Sequence, residues 1–177
     1  MDGLLERYGV TRVVLWGRSM GAASAIKYCE LVETFQVSSQ QEVIGVILDS
    51  CYKSFDKLAV EIGNRHSELP EFLIKMGYIF IRGTLEEMGK FKVEELELEE
   101  IVRTLDVPML FFTSNEDVTV HSHHSISLFD NCSHSKKKLA YIKGLHNESR
   151  DSNYLKEVRN FIEEVIVEAK GKKSNRF

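Results

Sequence analysis

The chain has 177 residues, 43% of them hydrophobic and 28% charged, a length and composition suited to one globular domain with a sizeable core. A net charge of −4 gives no broad electrostatic reason to bind nucleic acid. No apolar run approaches membrane-spanning length, and Met1–Arg7 lacks the basic start and long apolar stretch of a signal peptide.

Taken in order, Val10–Trp16 reads as a buried strand ending at Gly17, and Met20 to about Val32 as a helix with Ala22, Ala25, Ile26 and Cys29 on one face. After a polar break at Ser38–Gln40, Val43–Leu48 is a second apolar strand, closed by Asp49 and Ser50. The segment 52–106 has mixed helical character, and its acidic run Glu94–Glu100 reads as a solvated helix face. Val107–Thr113 is a third apolar strand, His121–Phe129 a helix and Lys138–Ile142 a fourth strand. Ser152 to about Ala169 is an amphipathic helix, with Ser152 as N-cap and Leu155, Val158, Ile162, Val165 and Ile166 on its apolar face. Strands alternating with helices predict an α/β fold with a parallel sheet covered on both faces. Reactive groups in such sheets gather beyond the carboxyl ends of the strands. Ser19, Asp49, Asp117 and His146 follow the four strands in turn and share that rim.

Gly17-Arg18-Ser19-Met20-Gly21 matches G-x-S-x-G between a strand and a helix, the context that makes the motif a nucleophile turn. The rival is a phosphate-binding turn at a helix N-terminus, weakened because no P-loop lysine follows. A serine hydroxyl needs a base to take its proton, and the base needs an orienting acid. His146 and Asp117 supply both in the order Ser, Asp, His. Asp49 and Glu116 are the rivals for the acid, and Asp49 has the simpler role of supporting the turn or pocket. The backbone N–H of Met20, next after the nucleophile, is the natural oxyanion donor. His121, His123 and His124 read as solvated or as a weak metal contact. They lack a matching carboxylate or cysteine set, so no metal and no other cofactor is expected. Cys29, Cys51 and Cys132 fit neither a disulfide framework nor a zinc site, and a reduced, cytoplasmic setting is the expectation. Cys51 reads as a small buried residue.

The run Trp16–Ala22 resembles α/β-hydrolases of the serine aminopeptidase-like branch, particularly plant and protist forms. The likeness continues through Ile47–Ser50, Val107–Phe111, Asn115–Asp117 and Gly144–Asn147. It implies a catalytic triad of Ser19, Asp117 and His146 and a helical cap at 52–106 inserted in a single domain, 1–177. It also implies a substrate that is a small molecule or an acylated group held as ester, thioester or amide; the branch name does not establish peptidase activity. Phe72, Met76 and Ile79 are the candidates for lining a substrate pocket under the cap. Such hydrolases carry several strands before the nucleophile strand, and one loop among them brings a second oxyanion donor. Here only about ten residues precede that strand and no His-Gly-Gly segment exists, so the chain is expected to be the C-terminal part of the fold. Loss of one oxyanion donor costs roughly a hundred- to a thousandfold in rate. Two functions therefore compete: a serine hydrolase, and a hydrolase-like interaction module without catalysis. The nucleophile strand would have one unpaired edge, and self-association through it is expected.

Overall fold

The computed structural model of the chain describes residues 8–35, 42–89 and 92–174. Four strands form one sheet in the order β1 (Arg12–Arg18), β2 (Glu42–Asp49), β3 (Met109–Ser114) and β4 (Lys137–Ile142), and every neighbouring pair is parallel. Between them run α1 (Met20–Phe35), α2 (Phe55–His66), α3 (Glu71–Gly89), α4 (Leu98–Thr104) and α5 (Ser122–Asn131), and the chain continues into α6 (Ser152–Ser174). The polar break expected at 38–40 lies outside the described residues.

The two-residue period of the strands divides the core. Val46, Leu48, Met109 and Phe111 face one layer, where they meet Ala22, Ile26 and Cys29 of α1 with Ile101, Val102 and Leu128. Ile47, Leu110 and Phe112 face the other layer, which α6 covers with Tyr154, Val158, Phe161, Val165 and Ala169. Each large apolar side chain buried here contributes about 1.5–3 kcal/mol. This explains the unbroken apolar strands of the sequence: β3 is buried along its whole length.

Three local expectations shift. The buried face of α6 is the Tyr154 stripe, so Leu155 and Ile166 point outward, one position from the expected stripe. Its N-cap is Asp151, whose Oδ1 accepts from the Tyr154 N–H at 2.9 Å, and Ser152 is already helical. The acidic run is more than a solvated face. Glu97 accepts from the Ser54 hydroxyl, and Glu99 accepts from Ser127 Oγ and Asn131 Nδ2, both at 2.8 Å. Those bonds tie the end of the 52–106 segment to the core.

Within that segment α2 and α3 pack on each other around an apolar groove of about 490 Å³, lined by Phe55, Leu58 and Ile62 from one side and Ile74, Gly77 and Ile81 from the other. A side chain at position 63 would meet Ile74 Cγ2 at 2.6 Å, so Gly63 is what lets the Ile74 stripe approach α2. That contact fixes the rotation of α3, a helix apolar on several faces. Phe72, Met76 and Ile79 consequently stand on its outer side, 61%, 63% and 67% exposed, and none of them lines the groove.

Candidate active site

β1 ends in Gly17-Arg18 and α1 begins at Met20, which leaves Ser19 alone to make the turn. Its φ is 53°, the left-handed region that a non-glycine residue enters at a cost of about 1–3 kcal/mol. The strained turn is held from β2, where the Ser19 N–H donates to the Asp49 carbonyl at 2.8 Å. Helical residues then close over it, with the Ala22 and Ala23 N–H groups donating to the Ser19 carbonyl. A Cβ at Gly17 would lie 2.2 Å from the backbone of Gly21, so glycine is required there. Among the described residues, and apart from the backbone of α1 itself, nothing lies within 4 Å of a Cβ built at Gly21. Met20 is the first helical residue, and its N–H has no acceptor inside the helix. Its side chain is exposed.

Asp117 follows β3 and is buried. Its Oδ1 accepts from the Thr119 and Val120 N–H groups at 2.8 and 2.9 Å, and its Oδ2 lies 2.7 Å from His146 Nδ1. Burial pushes this carboxyl up. The bonds from His146 and from the two amides more than offset that, and it is held below the usual aspartate value. An ionised Asp117 makes His146 Nδ1 the protonated nitrogen and leaves Nε2 free as a base. No hydrogen bond joins the Ser19 hydroxyl to His146 among the described residues.

The loop that carries His146 is tied down at several points. Ser114 Oγ donates to the Gly144 carbonyl at 2.8 Å, and Glu116 accepts from the Gly144 N–H at 3.0 Å. Glu116, a rival for the acid, thus holds the loop backbone instead of the imidazole. Gly144 has φ 98°, and a Cβ there would strike Glu148, which accepts from the Leu145 N–H at 2.8 Å.

Asp49, the other rival, is fully buried and does not bond His146. Its carboxylate accepts from the Ser50 hydroxyl at 3.1 Å and pairs with Arg18 and Arg150. Arg150 grips both carboxylate oxygens, Nε to Oδ2 at 3.0 Å and Nη2 to Oδ1 at 2.9 Å, and Arg18 Nε reaches Oδ2 at 2.9 Å. Sequence reasoning missed Arg150. The available signal was the need of a carboxylate at the end of an apolar strand for a cation, and the arginine lies 101 positions away.

Of the remaining candidates, Cys29, Cys51 and Cys132 are buried free thiols. Burial pushes Cys29 up to about 12 and Cys51 higher still, which leaves Cys51 inert as a nucleophile. His124 is buried rather than solvated, and with His123 and Glu61 it brings three potential metal ligands together. His124 Nε2 lies 3.0 Å from Glu61, and its Nδ1 accepts from the Lys53 N–H at 3.5 Å. With Nδ1 accepting, Nε2 carries the hydrogen and donates to Glu61, whereas a metal on Nε2 requires the opposite tautomer. The bonding pattern is that of a satisfied core histidine.

No family profile and no curated protein matches the chain. Solved structures do. An esterase from Pyrococcus furiosus superposes with a TM-score of 0.64 at 17% identity, over 92% of this chain and 57% of its own. The chain has the α/β-hydrolase fold. A monoacylglycerol lipase from Paleococcus ferrophilus aligns at TM-score 0.57 and 19% identity, over 94% of this chain and 72% of the lipase. An esterase from Rhodococcus aligns at 0.55 and 19%, over 92% and 69%. The chain thus spans just over half the length of the Pyrococcus esterase.

Proposed function

We propose that this α/β-hydrolase chain carries the nucleophile, base and acid of a serine hydrolase acting on an ester, thioester or amide. Ser19 attacks the carbonyl carbon. His146 Nε2 takes the hydroxyl proton and returns it to the leaving group. Asp117 keeps Nδ1 protonated and stabilises the imidazolium. The Met20 N–H supports the oxyanion, and water then releases the acyl group from Ser19 by the same base.

The observation that carries the reading is the 2.7 Å bond between buried Asp117 and His146, on the same sheet rim as a left-handed serine in G-x-S-x-G. The esterase and lipase names of the structural neighbours support an ester substrate. The resemblance of Trp16–Ala22 to the serine aminopeptidase-like branch, and the apolar groove between α2 and α3 of the proposed 52–106 cap, support an acyl group of lipid-like character. Self-association through the β1 edge belongs to the same reading, because β1 pairs only with β2 among the described residues.

The test is hydrolysis of p-nitrophenyl acetate and p-nitrophenyl butyrate by the chain and by Ser19→Ala. The reading expects turnover above buffer that Ser19→Ala removes. Equal turnover by both chains would refute it.

A further inference from the structure

We infer that Arg150, paired with Asp49, is a positioning residue that sets His146 against Ser19; the inference rests on the Ser19, Asp117 and His146 reading above. The sheet order creates the need. His146 follows β4 and Ser19 follows β1, three strands away, roughly 14 Å at about 4.8 Å per strand. The loop after β4 must therefore carry the imidazole back across the ends of β3 and β2. Asp117 holds the ring at the end of β3. Arg150 holds the far end of the loop at β2, through the two-oxygen grip on Asp49.

The same guanidinium fixes the loop backbone around the histidine. Arg150 Nη1 donates to the Leu145 carbonyl at 3.2 Å and Nη2 to the His146 carbonyl at 3.5 Å. Asp49 in turn belongs to the serine turn: its carbonyl accepts from the Ser19 N–H, and its carboxylate accepts from Arg18. Arg18 closes the circle by donating to the Glu148 carbonyl at 3.4 Å. One buried ion pair, with side chains 3% and 0% exposed, thus links the serine turn to the histidine loop. A buried pair of this kind adds little net stability, and its planar two-point geometry is what a lysine cannot reproduce.

A cleft of about 410 Å³ bordered by Trp16, Asp49, Arg150 and Tyr154 opens beside the pair. It offers a route for chemical rescue. The measurements are thermal unfolding, the rate of Ser19 labelling by a fluorophosphonate, and the low-field imidazole N–H proton of His146. Asp117→Asn and Ser19→Ala serve as controls. Arg150→Ala is expected to unfold cooperatively yet label on the order of 10–100-fold more slowly, as a misplaced base would. Its low-field proton should weaken. Millimolar ethylguanidinium should restore labelling in Arg150→Ala and leave Asp117→Asn unchanged. If Arg150→Ala does not fold, Arg150→Lys takes its place and should show the same slowing. A folded Arg150 variant that labels within about twofold of the parent, with its proton intact, overturns the inference. If the parent chain itself fails to label at Ser19, the functional reading falls, and the His146 proton in Arg150→Ala against the parent still decides whether Arg150 holds the ring.

Discussion

Asp117 and His146 stand 29 positions apart in sequence and 2.7 Å apart in space, each on the loop that follows one of two adjacent parallel strands. Ser114 Oγ and Glu116 tie the histidine loop to the aspartate loop, so the pair is held by backbone contacts as well as by its own bond. Asp117→Asn should slow Ser19 chemistry by about 10³–10⁴-fold, because an amide favours the wrong imidazole tautomer. Labelling kinetics give the number. The same substitution reports on stability. Because the folded carboxyl is held below the ordinary aspartate value of 3.8, its contribution is present above that pH and is lost as pH falls through the folded value. The Tm difference between the parent and Asp117→Asn should therefore be full near neutrality and shrink below that value. A constant difference down to strongly acidic pH would contradict the ionised assignment.

The serine turn makes a prediction that separates strain from chemistry. Ser19→Gly relieves a positive φ that Ser19→Ala retains, and it should be the more stable of the two by about 1 kcal/mol, although both lack the proposed nucleophile. Gly17→Ala meets backbone at 2.2 Å and should cost about 1–3 kcal/mol or more. Gly21→Ala meets nothing and should leave Tm unchanged or raise it, since alanine favours a helix. Urea titration of the four variants checks the ranking.

His124 should make the chain acid-sensitive. Burial lowers its proton affinity below the ordinary histidine value of 6.5, with attraction to Glu61 only partly opposing it. The unfolded chain then binds the proton more tightly, so stability falls as pH drops from 6.5 through the folded value. Replacing His124 with Gln should flatten that part of the stability profile, measured as Tm from pH 7 to pH 5 against the parent. An unaltered slope would show that other groups carry it.

The β1 edge predicts association. Val13, Val14 and Leu15 are half-buried and Trp16 is 50% exposed on a strand that pairs on one side only among the described residues. Light scattering at roughly tens of micromolar should find species larger than a monomer, and Val14→Lys should reduce them. A stable monodisperse monomer would contradict this.

Much of this was legible in the sequence, for identifiable reasons. The strands announced themselves because Val46–Leu48 and Met109–Phe112 are buried on both faces and leave no polar alternation. The candidate site residues could be singled out because each lies on the loop after a strand. What failed depended on contacts made at a distance. The outward turn of Phe72, Met76 and Ile79 follows from Ile74 packing into the space left by Gly63, and a helix apolar on several faces hides that choice. The true buried stripe of α6 runs through Tyr154, because Tyr154 packs its tilted ring on Phe112 and accepts the Trp16 indole N–H at 2.9 Å. Arg150 was invisible because its partner is Asp49, on the other side of two strands and four helices.

The most direct measurement is the intact mass of the chain after reaction with a fluorophosphonate, with the modified peptide sequenced. One added phosphonyl group on Ser19 is expected, absent in Ser19→Ala and strongly slowed in both His146→Ala and Asp117→Asn. No adduct on the parent chain, or an adduct on Ser19 formed equally fast without His146, would contradict it.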